Sequence, residues 1–236
     1  MAFSTLISDL HQAQAKAFTD VASDSLVAID RNEIGQILVD IGKCADLLAD
    51  RYEAELYDLA IKEIQFSLLA VLGASYRQAF VGLRLALEHW FAGIQYSTNE
   101  FNFKKWRLGL RDASWSEFND GNTGILSEEF ANLFWPQSEQ RISVYRNFAS
   151  SVYRECSEYV HGNPKTHISL PKQLTYDQKS FLAWKEKLDT VRLLFVYTFV
   201  ARFGSSLDVQ QRESIAQVVL DSIGHLKEAR DLFQGD

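Results

Sequence analysis

The stretch SYRQAFVGLRLALEHWFAGIQYS, residues 75–97, decides the fold class. Its large apolar residues Tyr76, Phe80, Leu83, Leu87, Trp90 and Ile94 recur in alternating steps of four and three. That spacing is the 3.6-residue period of a helix with one buried face. No proline interrupts it, and none occurs anywhere in residues 1–135 or 172–236.

Working outward, the same signals repeat. Residues 3–18, 25–50 and 53–72 read as three helices, the third ending near Gly73. The second keeps Leu26, Ile29, Ile37, Ile41, Ala45 and Leu48 near one face, with Gly35 and Gly42 as weak points. Residues 177–203 read as a helix that is apolar nearly all round from Leu193 to Phe203, which places it in the middle of a bundle. Residues 209–233 read as a last amphipathic helix carrying Ile215, Val219, Leu226 and Phe233. The chain has only 12 Gly and 3 Pro in 236 residues. Average usage of roughly 7% Gly and 5% Pro would give nearly twice that, so strand-rich, collagen-like and Pro/Gly-rich disordered classes are excluded. The expectation is an all-α bundle of about seven to eight helices, one domain over residues 1–236.

Residues 98–137 depart from this pattern. Asn99, Asn102, Asn119, Asn122, Gly109, Gly121 and Gly124 mark loops. Phe101, Phe103, Trp106, Trp115, Phe118, Phe130, Phe134 and Trp135 supply eight aromatics. The expectation is a loop-rich insertion packed on the bundle. A short helix at 127–135 is capped by Ser127, with Glu128 and Glu129 in its first turn.

A net charge of −7 argues against a protein that coats nucleic acid through many phosphate contacts, although a local basic site stays open. Cys44 and Cys156 are too few for a disulfide framework, which points to a reducing compartment. The N-terminus carries Asp9 and lacks a basic n-region, so no secretory signal is expected. The longest apolar runs, Ile64–Ala74 and Leu193–Ala201, fall short of the ~20 residues that span a bilayer. A cytoplasmic protein with no membrane partner is the expectation.

Residues 138–161 read as the next helix, stopped by Gly162 as a left-handed cap and by Pro164. Ile142, Tyr145, Ala149, Val152, Cys156 and Tyr159 define its core stripe. A second stripe lies roughly opposite: Asn147, Ser151, Arg154, Glu158 and His161. Arg154 and His161 are seven apart, hence within about 20° on one face and about 10 Å apart along the axis. One reading is a solvated face with Arg154 and Glu158 as an ordinary four-apart pair. The other is a site. The stripe lacks the Lys/Glu scatter of a solvated face, and the carbonyl end of the helix dipole favours a cation at His161. A histidine beside a fixed guanidinium can move protons and stabilise a phosphate.

The run Tyr153-Arg154-Glu155-Cys156-Ser157-Glu158-Tyr159-Val160-His161-Gly162-Asn163 resembles the arginine-to-histidine motif of the HEPN superfamily at its longest spacing. The likeness is to prokaryotic abortive-infection and toxin-like members. The resemblance implies a helical domain, a homodimer or larger assembly in which two motifs meet, and metal-independent RNA cleavage without a cofactor. It implies a role in defence or toxin–antitoxin systems. It assigns catalysis to Arg154 and His161; the polar stripe itself adds Glu158 beside them, with Asn147, Ser151 and Ser157 as candidate support. A second match, Arg84 to His89, is five apart; at about 140° around a helix the two do not share a face. Arg84 and Glu88 are instead expected to face the motif helix, either as an ion pair between helices or as a support for Arg154 or His161.

Lys104, Lys105, Trp106, Arg107 and Arg111 place cations around a ring, the recipe for single-stranded RNA, although a few local cations are also ordinary surface. No metal is expected: Cys156, His161 and His167 have no ligand spacing, and Pro164 breaks the helix that would align them. There is no Walker or dinucleotide loop and no nucleophile elbow. The alternative to a ribonuclease is a non-catalytic helical module that binds and regulates or scaffolds a partner protein. Under that reading residues 98–135 form the partner surface.

Overall fold

The computed structural model describes residues 3–161 and 163–234, without the side chains of residues 139, 140 and 165. Among the described residues the chain is all helical. In order the helices are α1 (Phe3–Ser23), α2 (Ala28–Asp46), α3 (Ala54–Leu72), α4 (Tyr76–Tyr96), α5 (Glu100–Arg107), α6 (Trp115–Phe118), α7 (Glu128–Phe134), α8 (Ile142–Ser157), α9 (Pro164–Ser169), α10 (Gln178–Phe203), α11 (Val209–Ile223) and α12 (Lys227–Phe233). Short 3₁₀ turns cover Ser25–Val27, Pro136–Arg141 and Gly204–Ser206.

The deciding stretch folds as its spacing demands. Tyr76, Phe80, Leu83, Leu87, Trp90 and Ile94 are all buried on α4. Helices α3 and α4 approach each other very closely. A Cβ at Gly82 would come within 2.8 Å of the Ser67 Cβ, and one at Gly93 within 2.5 Å of the Tyr57 ring. Ser67 uses the close approach: its hydroxyl donates to the Ala79 carbonyl (2.6 Å) and accepts from Trp184 Nε1 (2.8 Å). One side chain thereby joins α3, α4 and α10. Trp90 repeats the triple junction deeper in the core. Phe195 stacks on it at 4.3 Å, Tyr57 meets its edge at 5.1 Å, and its Nε1 donates to Thr198 Oγ1 at 3.1 Å. Polar ties hold α10 to α2: Lys185 to Glu33 (2.9 Å) and Arg192 to Asp40 (2.6 Å).

The turn between α3 and α4 places Ala74 at φ 58°, the left-handed region that L side chains disfavour. Ala74→Gly is therefore expected to stabilise the fold by about 0.5–1 kcal/mol, read as a rise of roughly 1–4 °C in melting temperature.

Several boundaries differ from the sequence reading, and twelve helices among the described residues replace the expected seven or eight. The 25–50 segment starts as a 3₁₀ turn and its helix runs only from Ala28 to Asp46, so Leu26 and Ile29 are exposed while Ile34 and Cys44 join the buried face. The 209–233 segment breaks at Gly224 into α11 and α12. Residues 98–137 alternate short helices with loops. They form α5, α6 and α7, wrapped round buried Phe103, Phe118, Phe130 and Trp135. Ser127 caps α7 as its position indicated, accepting from the Phe130 amide at 3.1 Å. No helix among the described residues is long and apolar enough to cross a membrane.

Candidate functional site at the end of α8

Helix α8 is shorter than residues 138–161. Its core stripe is as expected, with Ile142, Tyr145, Ala149, Val152 and Cys156 buried, but regular helix stops at Ser157. The chain then tightens: the amides of Tyr159 and Val160 bond three residues back, to Cys156 and Ser157, before His161 bonds four back, to Ser157 (3.2 Å). Each 3₁₀ step adds about 20° to an α step, so the alignment of Arg154 with His161 is loosened without being reversed. His161 thus sits on a turn rather than on the helix. Gly162, read from the sequence as its cap, lies outside the described residues.

The turn is held from outside. Arg77 at the start of α4 donates from Nε to the Tyr159 carbonyl at 2.9 Å, and the Tyr159 ring stacks on Phe80 at 4.0 Å. Glu158 accepts from the side-chain Nδ2 of Asn163. One turn earlier, Ser151 donates to Glu155 (2.7 Å) and Lys187 of α10 pairs with the other oxygen of Glu155 (2.6 Å). Partial burial pushes the Glu155 carboxyl up, but Lys187, Ser151 and the Arg154 charge outweigh it and hold it below the ordinary carboxylate range.

Arg84 and Glu88 face α8 as expected, but their targets differ from the expected ones. Arg84 donates to Ser157 Oγ (3.0 Å), to the Tyr153 hydroxyl (2.6 Å) and to Glu88 (3.0 Å); Tyr153 in turn donates to Glu88 (2.9 Å). The ion pair lies within α4, not between helices, and neither residue supports Arg154 or His161 by a direct bond. Trp115 closes the network by stacking flat on Tyr153 at 3.8 Å, and burial, then Glu88, pushes the Tyr153 phenol up. Tyr153, Lys187, Arg77 and Trp115 carried no local signal of their role. They are recruited by packing between helices far apart in sequence.

Arg154 and His161 stand apart from this web. Both are exposed, and neither side chain bonds to another described residue. Asn147 is also exposed. Among the described residues no group of three His, Cys, Asp or Glu is placed to hold a metal ion. A cleft of about 430 Å³ opens beside the turn, with Glu155, Glu158, Glu186 and Lys187 among its walls.

His89 is partly buried on α4, and that burial holds its imidazole below the ordinary 6.5. The unfolded chain then binds the extra proton first, so stability is lost as pH falls below 6.5. A melting temperature that drops between about pH 7.5 and 5.5, and drops less in His89→Gln, is the expected result.

The basic cluster is largely neutralised. Lys104 pairs with Glu100 (2.8 Å), Arg107 with Glu55 (3.3 Å) and Arg111 with Glu117 (2.5 Å). Trp106 packs against Phe103 and Tyr96 instead of standing free for a base. The exposed ring is Phe101, with Lys105 4.3 Å above it.

No family model matches the chain, and neither a curated protein nor a solved structure is significantly similar to it.

Proposed function

We propose that the end of α8 is the ribonuclease centre of a HEPN-type protein, acting in a prokaryotic defence or toxin–antitoxin system. One observation carries the reading. Ser151, Tyr153, Glu155, Ser157 and Glu158 are each engaged within the fold, whereas Arg154 and His161 project into solvent from the same end of the helix. A cation and an imidazole left open by a braced scaffold suit a phosphodiester. In the proposed reaction the RNA 2′-hydroxyl loses its proton and attacks the adjacent phosphorus. The bond to the 5′-oxygen breaks, leaving a 2′,3′-cyclic phosphate and a 5′-hydroxyl. His161 transfers a proton at one of these oxygens and Arg154 offsets the charge on the phosphate. End-labelled single-stranded RNA incubated with the protein in the presence of a chelator tests it: cyclic-phosphate products support the reading, and intact RNA opposes it.

A second reading is favoured by different features. Three carboxylates line the cleft beside His161, Glu155 directly follows Arg154, and Phe101, Leu108, Leu110 and Leu133 are exposed on the insertion. These suit a protein partner better than a polyanion. Under this reading the chain is a non-catalytic regulator or scaffold, and wild type and His161→Ala are equally inert toward RNA.

A further inference from the structure

Two arginines of α4 hold the end of α8, and they divide the work. They are seven residues apart, hence on one face and about 10 Å apart along the axis. Arg84 reaches the regular part of α8, at Tyr153 and Ser157. Arg77, the second residue of α4, reaches past the last helical residue to the Tyr159 carbonyl. The carbonyls that close a helix have no amide further along to accept from, and that end carries partial negative charge. Among the described residues no backbone amide donates to the carbonyl of Glu158, Tyr159, Val160 or His161. Arg77 brings a charged donor to the second of these four. Its own side chain is exposed and pairs with no carboxylate among the described residues.

The turn matters because it sets one candidate catalytic group against the other. Arg154 stands on regular helix, whereas His161 stands on the turn, beyond the tightened bonds of Tyr159 and Val160. Proton transfer needs His161 within hydrogen-bond reach of a reacting oxygen while Arg154 meets the phosphate. A displacement of about 1 Å can cost a hundredfold in rate. We infer that Arg77 is the positioning residue for His161. By holding the Tyr159 carbonyl it fixes the turn two residues before the imidazole, and with it the placement of His161 relative to Arg154. The effect of Arg77 on rate rests on the ribonuclease reading proposed above; its effect on the turn does not.

Two variants of the full chain test the assignment. Arg77→Met keeps an unbranched stem and removes both donor and charge. Arg77→Lys keeps a cationic donor, and one donor is all that the single bond to a carbonyl requires. Amide hydrogen exchange is read residue by residue, and cleavage of single-stranded RNA is read as kcat and KM separately. In Arg77→Met the amides of Tyr159, Val160 and His161 are expected to exchange about tenfold faster, while exchange elsewhere and the melting temperature hold. Its kcat should fall about ten- to a hundredfold, with KM within about threefold of wild type. Arg77→Lys should recover most of both losses. Unchanged exchange in Arg77→Met would overturn the proposal, because the turn is then held without Arg77. Faster exchange throughout the chain with a lowered melting temperature would also overturn it, as a general structural role. A raised KM with kcat intact would do the same, since it assigns Arg77 to direct contact with RNA. Faster exchange confined to the turn, in a protein whose wild type leaves RNA intact, upholds the positioning and refutes the ribonuclease reading, so the two fail separately.

Discussion

Under the proposed ribonuclease function, His161→Ala is expected to leave a folded protein without RNA-cleaving activity. The loss should be at least about a hundredfold, the lower end of what a positioned general acid or base supplies. The fold should survive because His161 lies exposed on a turn fixed by other groups: Arg77 on the Tyr159 carbonyl, Phe80 under the Tyr159 ring, and backbone bonds to Ser157. An unchanged melting curve together with absent cyclic-phosphate product is therefore the diagnostic pair. Arg154→Ala should behave in the same way, since its side chain bonds to no described residue. In cells, wild type expressed without its genomic neighbours should arrest growth while His161→Ala should not. Equal growth of the two, with RNA intact in both preparations, would count against the enzyme and for the partner-binding alternative.

Trp90→Ala should produce the largest change in stability. Trp90 is fully buried where α3, α4 and α10 meet, stacked on Phe195, edged by Tyr57 and hydrogen-bonded to Thr198. Deleting the indole leaves a cavity between three rigid helices, with a cost of about 3–5 kcal/mol. For a chain of this length that corresponds to a fall of roughly 6–20 °C in melting temperature. Trp90→Phe keeps a ring against Phe195 and loses the N–H together with only part of the indole's volume, so its cost should be markedly smaller. Differential scanning calorimetry on the three proteins checks this ranking.

What could be read from the sequence follows how local each determinant is. The α4 face and the encircled α10 are written in residue spacing, and both formed where the spacing placed them. The Ser127 cap was equally local. The end of α8 was not. Nothing between Ser157 and His161 forbids a helix; the turn is drawn in by Arg77 and Phe80 from a helix some eighty residues earlier. The same limit applies to the site. Arg154 and His161 could be picked out by their stripe. That Arg84 would reach Tyr153 and Ser157 instead, and that Lys187 would neutralise Glu155, depends on how helices pack. The basic run 104–111 looked like a patch because Glu55, one of the carboxylates that pair with it, comes from a distant helix.

The triple junction at Trp90 also sets a timetable. Its hydrogen-bond partner Thr198 is 108 residues further along the chain, and Trp184, which reaches Ser67, follows that serine by 117. At a synthesis rate of roughly 5–20 residues per second, helices α3 and α4 emerge from the ribosome about 5–25 s before the helix that covers them. Through that interval their aromatic faces are open. A ribosome-associated chaperone therefore has a defined window on the nascent chain, which closes when α10 arrives.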